Sequence, residues 1–153
     1  MRAGLTIAVF LCINAAPVPL SQIAERQSSP FVGTWTADIS KSKLDPKYAF
    51  ESATLHIGVA GDTVTMASEL VNASGQKQHA TETFRTDGTE TPGTLTPGVT
   101  HIARWVGSHV FVAIAKKNGE VIFLATYQVS SDGKALISRT SGLAEQVVVF
   151  ERK

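Results

Sequence analysis

The chain has 153 residues, 43% of them hydrophobic, with 14 basic against 13 acidic side chains for a net charge of +1. That is one domain's worth of protein, apolar enough to build a core. A near-neutral balance with no basic stripe argues against nucleic acid as a partner and against electrostatic adhesion to anionic membranes.

The amino-terminal end reads as an export signal. Arg2 gives a positive start, residues 5–13 (LTIAVFLCI) form an apolar run, and Asn14, Ala15, Ala16 and Pro17 follow with small or turn-forming character. A run of this length is too short to span a bilayer as a helix and has the layout of a secretory signal peptide. The expected division is a signal peptide over residues 1–24, cleaved somewhere in 15–24, a flexible lead-in over 25–30, and one domain over 31–153 that is exported to the periplasm or the extracellular space. Cys12 is the only cysteine and lies in the signal, so the mature domain is expected to have no disulfide and no cysteine ligand for a metal. Lipidation of Cys12 is the sharper alternative, but Val9, Phe10 and Leu11 lack the small residue such a signal carries before its cysteine. Without a disulfide the domain must hold by its core, and a chain of about 130 residues buries roughly two-thirds of its unfolded surface.

Residues 31–39, FVGTWTADI, alternate with period two: Phe31, Gly33, Trp35, Ala37 and Ile39 on one side, Val32, Thr34, Thr36 and Asp38 on the other. This is a strand with one dry and one wet face. Gly33 sits on the dry face, where a strand glycine marks a close approach to the backbone. Residues 40–48 read as a loop started by Asp45-Pro46.

From Glu51 onward one device repeats, a strand followed by a tight turn. The expected strands are 51–60, 63–71, 77–86, 99–106, 109–117, 120–129, 135–141 and 145–152. Asn118-Gly119 between apolar runs is the strongest hairpin signal. Pro92 and Pro97 rule out a central strand between residues 89 and 98, which is read as an irregular crossing or broken edge. Asn72-Ala73-Ser74 fits a glycosylation acceptor and is taken as turn chemistry. No helix is expected after the signal. The fold class is therefore all-β, an antiparallel up-and-down meander barrel of about 8–10 strands, closed by pairing the first strand with the last so that the sheet leaves no exposed edge.

Gly33-x-Trp35 on the first strand resembles the lipocalins and their relatives, the calycin superfamily. There the tryptophan closes one end of a ligand-carrying barrel and a late basic residue covers it, a role that Arg152 fits by position. The resemblance implies a lipocalin-like barrel in which Gly33, Trp35 and Arg152 hold the closed end. A Thr-Asp-Tyr type motif is missing, since Thr86-Asp87-Gly88 is only a turn, and no helix follows the last strand. The chain is set apart from fatty-acid-binding proteins, because residues 40–51 leave no room for their helical lid and the terminal Arg-x-Tyr pair is absent. It looks most like small exported bacterial lipocalin-like proteins.

Faces assigned by the apolar series place Ser68, Glu82, Phe84, Arg104, Phe111, Phe123 and Tyr127 in the interior. Glu82 and Arg104 are the polar intruders. The functional reading has Arg104, with Tyr127 and Ser68, anchoring a polar head such as a carboxylate while aromatic walls take an apolar tail. The plainer reading has Glu82 and Arg104 in solvent at the mouth, or paired with each other, and a one-residue register slip would put both outside. His56, His79, His101 and His109 fall on outer faces, and pairing Val106 with His109 sets His101 opposite Ile114, so no metal site is expected. No nucleophile with a base, phosphate loop or carboxylate pair is readable, so neither a catalytic residue nor a cofactor is assigned. The leading expectation is a secreted barrel binding a small, mostly apolar ligand. The alternative is a ligand-free barrel or sandwich acting as an interaction module of the cell envelope, for which the outer stripe Val110, Val112 and Ile114 speaks. A calycin enzyme would have only Glu82 to offer as acid or base.

Overall fold

A computed structural model of the chain describes residues 29–153. The expected signal peptide, with Cys12, lies outside the described residues. Ten strands follow in order: β1 (Gly33–Lys43), β2 (Phe50–Ala60), β3 (Thr63–Asn72), β4 (Lys77–Arg85), β5 (Thr91–Pro92), β6 (Val99–Trp105), β7 (Val110–Lys117), β8 (Glu120–Val129), β9 (Ala135–Gly142) and β10 (Gln146–Arg152). They form one antiparallel meander in the order β4-β3-β2-β1-β10-β9-β8-β7-β6-β5. The all-β, up-and-down barrel expected from the strand spacing is the fold observed. β1 pairs with β10, with Trp35 opposite Arg152 and Ala37 opposite Phe150.

The cause of each hairpin is local. Between β7 and β8, Asn118 and Gly119 both take positive φ, 53° and 82°, the backbone a two-residue turn needs to match strand twist. Between β3 and β4, Asn72 Oδ1 accepts hydrogen bonds from the Ser74 and Gln76 backbone N–H groups and from the Ser74 hydroxyl, which makes this segment a side-chain-braced turn. Residues 40–43, read as loop from the sequence, instead continue β1. Asp38 Oδ1 accepts from the Ser40 N–H and hydroxyl, while Ser42 Oγ donates to the Asp38 carbonyl and accepts from the Val149 N–H. Side chains thus carry the strand through an irregularity in its pairing with β10. Only a 3-10 turn, Pro46–Tyr48, interrupts the path to β2.

The ring is not hydrogen-bonded all round. β4 and β6 face each other across a seam that carries the Gly88 N–H to Ala103 carbonyl bond at 3.2 Å and an isolated bridge between Asp87 and Arg104. One end of the barrel is filled. Phe31, Trp35, Phe111 and Leu136 are completely buried there, and an aromatic chain runs inward, with ring centroids 5.0 Å apart from Phe31 to Trp105, 5.0 Å from Trp105 to Phe111 and 5.6 Å from Phe111 to Phe84. Such tilted and edge-on contacts add to the burial of large apolar area.

Candidate functional site

At the filled end the Trp35 indole donates to the Phe31 carbonyl at 2.9 Å, so its buried N–H is satisfied within the same strand entry. The Arg152 guanidinium lies over the indole, 4.1 Å from the ring centroid. It also donates to the carbonyls of Gly133, Val32 and Pro30 at 2.8, 2.8 and 2.6 Å. Gly33 is what lets it in: φ is +138°, and a Cβ there would stand 2.8 Å from Arg152 Nη1.

The other half of the barrel holds a cavity of about 270 Å³. Small residues on β7 and β8, Ala113, Ala115 and Ala125, leave the space, and Leu55, Met66, Phe84 and Phe123 line it. It opens into a vestibule of about 490 Å³ bordered by Tyr48, Leu95, Leu143 and Ala144. Leu95 and Leu143 are each more than half exposed on this rim. With only a 3-10 turn between β1 and β2, no helix among the described residues covers the opening.

Polar groups are few and concentrated where the chamber meets the vestibule. Glu82, 8% exposed, projects inward from β4. Its Oε1 accepts from the Thr94 N–H and from the Thr94 hydroxyl, both at 2.9 Å, and the same hydroxyl lies 3.1 Å from the Thr81 carbonyl. Thr94 belongs to the segment between β5 and β6, so these bonds also tie the two sides of the seam together. His101, from β6, stacks on Phe84 across the same seam with centroids 5.3 Å apart. Its Nδ1 lies 3.4 Å from Glu82 Oε1, close enough for an electrostatic contact but without hydrogen-bond geometry, and that buried nitrogen has no hydrogen-bond partner among the described residues. Tyr127 and Ser68 complete the polar wall. Burial pushes the Tyr127 phenol up from its ordinary value, with the Ser138 hydroxyl beside it pulling in the other direction, so the group stays protonated and able to donate.

Of the residues assigned to a ligand site from the sequence, Glu82, Ser68, Phe84, Phe123 and Tyr127 lie on the cavity wall. Phe111 sits beneath it in the filled half, 6.0 Å from Tyr127 between ring centroids. Arg104 is a correction: it is exposed on the outer face of β6, opposite Val112. His101 is the converse correction, an inward residue that the sequence reading placed outside. Both follow from one slip. Trp105 pairs with Phe111 and His101 with Ala115, one residue away from the register that sets Val106 against His109. The turn is longer, closed by the Val106 N–H to Val110 carbonyl bond at 2.9 Å. A shift of one residue exchanges the faces of a strand, so Ala103 and Trp105 point inward with His101, and Ile102, Arg104 and Val106 do not. The signal that finds His101 is Trp105, two residues on, which a neutral barrel would not leave in solvent. Among the described residues no group of three or more His, Cys, Asp or Glu side chains is placed to hold a metal ion, and no helix is long and apolar enough to cross a membrane.

No protein-family profile matches the sequence, and no curated protein matches it. Solved structures do. The fluorescent protein UnaG superposes with a TM-score of 0.59 at 19% identity over 80% of this chain and 97% of its own. A fatty-acid-binding protein of Schistosoma mansoni, solved with arachidonic acid, gives 0.55 at 13% identity over 82% and 97%. Fatty-acid-binding protein 1 of Echinococcus granulosus gives 0.56 at 16% over 80% and 97%. The fold is thus an antiparallel up-and-down β-barrel similar to those of fatty-acid-binding proteins and UnaG. The sequence sets the chain apart from fatty-acid-binding proteins for want of a helical lid and of a terminal Arg-x-Tyr pair. Between β1 and β2 the chain carries only the 3-10 turn Pro46–Tyr48, and the barrel superposes over about 80% of the chain.

Proposed function

We propose that this chain is an exported, lipocalin-like barrel that binds a small, mostly apolar molecule in its interior. The observation that carries the reading is the half-filled barrel: an apolar chamber of about 270 Å³ with a few polar groups at its neck and an open, leucine-rimmed mouth. Binding sites for small molecules have this composition, apolar walls with a small number of placed polar groups. Similar barrels are described as fatty-acid-binding proteins and as a fatty acid transporter, which supports a ligand held inside. Export rests on the signal-like residues 1–24.

Native mass spectrometry of the purified protein, before and after denaturing extraction, tests the reading. A co-purifying molecule released by extraction is expected, and its mass gives the ligand class. Ala125→Phe, which fills the chamber from β8, is expected to abolish that adduct while the barrel still melts cooperatively. A bare mass, with a melting midpoint indifferent to medium-chain alcohols, would refute binding. Amino-terminal sequencing of the protein recovered from the medium or periplasm checks the cleavage.

A further inference from the structure

Neutral hydroxyls such as those of Tyr127 and Ser68 serve a ligand of either sign, because they both donate and accept. A carboxylate does not. Among the described residues Glu82 is the only carboxylate on the inner chamber wall, and neither lysine nor arginine lines that chamber. Lys117 is the nearest basic side chain in the vestibule, and it is exposed. Two neutral donors from Thr94 hold one oxygen of Glu82, and no described residue donates to the other. Beside it the buried Nδ1 of His101 also has no hydrogen-bond partner. Carboxylates taken this far out of water are normally matched by a cation or by donors to both oxygens. At the neck of this cavity His101 Nδ1 stands 3.4 Å from the oxygen that Thr94 already holds, so the other oxygen has no donor among the described residues, and the space next to it is ligand space.

We infer that the ligand is an amphiphilic amine whose protonated nitrogen binds Glu82 at the neck of the cavity and whose apolar body fills the inner chamber. This rests on the proposed binding of a small apolar molecule. The ammonium group donates to the free Glu82 oxygen, the charge-assisted type of hydrogen bond. Phe123 borders both the chamber and the vestibule, and Phe84 and Tyr127 line the chamber, aromatic surface that favours a cation over an anion. Fatty acids are then the wrong ligands for this barrel, since their carboxylate would meet Glu82 at close range with no basic side chain to receive it. A chamber of about 270 Å³ holds an apolar body of about nine heavy atoms at roughly 30 Å³ each, the volume of a water in the liquid.

The test is a matched series on the purified full chain: octylamine, 1-octanol and octanoate, each below its aggregation concentration, read by isothermal titration and by melting midpoint. Octylamine is expected to bind at least about tenfold more tightly than octanoate, the factor of a charge-assisted hydrogen bond, with octanol between them. Glu82→Gln, which keeps an oxygen for Thr94, is expected to weaken octylamine about tenfold and to change octanol by less than about twofold. Octanoate binding as tightly as octylamine would overturn the amine assignment and leave the binding reading standing. Octylamine affinity unchanged in Glu82→Gln would overturn it as well. Binding of none of the three would overturn both. If Glu82→Gln does not fold, the ranking of the three ligands on the unaltered protein decides.

Discussion

Arg152 roofs Trp35: the guanidinium lies 4.1 Å from the indole centroid, while the indole N–H is held by the Phe31 carbonyl beneath. The pair joins the first and last strands at a point where both are also in register. Trp35→Ala removes a completely buried ring and is expected to cost about 3–5 kcal/mol in urea unfolding. Arg152→Met, which keeps an unbranched apolar cover but loses three carbonyl contacts, should lower the midpoint by less than Trp35→Ala. A Trp35→Ala protein as stable as the parent would show that this end is not what holds the barrel.

Gly33→Ala is expected to destabilise by about 1–3 kcal/mol, from a positive φ that a Cβ resists and from the 2.8 Å approach to Arg152 Nη1. The second part is relieved by shortening the arginine. In a double-mutant cycle with Arg152→Ala the two costs should therefore fall short of additive. Strict additivity would mean that Arg152 does not confine Gly33.

Thr94→Val keeps the shape of the seam and removes its hydroxyl, leaving Glu82 with the backbone N–H alone. A loss of about 1 kcal/mol is expected, and it should be local. Amide exchange should quicken in β4 and β6, at the edges that face the seam, and stay unchanged in β1 and β10. Equal exchange across the whole barrel would remove Thr94 as the tie.

Asp38, on the outer side of β1, accepts hydrogen bonds from Ser40 and pairs with Lys41, which together lower its carboxyl to about 2 from 3.8. Because the folded value is the lower one, this stabilisation is complete above about pH 4 and disappears as pH falls through about 2. Asp38→Asn should melt below the parent at pH 7, and most of that gap should have closed by pH 2. The carbon chemical shift of the Asp38 carboxyl should titrate with a midpoint near 2. A midpoint at 3.8 would mean that the Ser40 and Lys41 contacts do not persist in solution.

Most of the barrel was legible because its strands declare two faces. Residues 51–60 alternate cleanly enough that the sequence alone puts Leu55 and Ile57 on the dry face, and both are buried, as is Phe111 on β7. β6 was not legible by the same means. His101, Ala103 and Trp105 compete with Ile102, Arg104 and Val106, and an apolar count favours the second set. What decides is the hairpin: Phe111 faces inward, Trp105 lies directly opposite, and opposite residues share a face. Turn length, not strand composition, therefore determined which charged side chains reached the cavity. Residues 40–43 failed for a different reason. Their polar run looks like a loop, and only the Ser42 side chain, bonded to both Asp38 and Val149, keeps them in the sheet.

The contact between Arg152 and Val32 links positions 120 residues apart. A barrel joined in this way cannot be finished piecemeal, since the first strand has no partner on its outer side until the last is made. Closing so long a loop is among the slowest steps a small domain takes, in the range of milliseconds to seconds. Until then β1 remains an unpaired edge with its tryptophan uncovered. A chain of this design stays unfinished until its last strand has emerged.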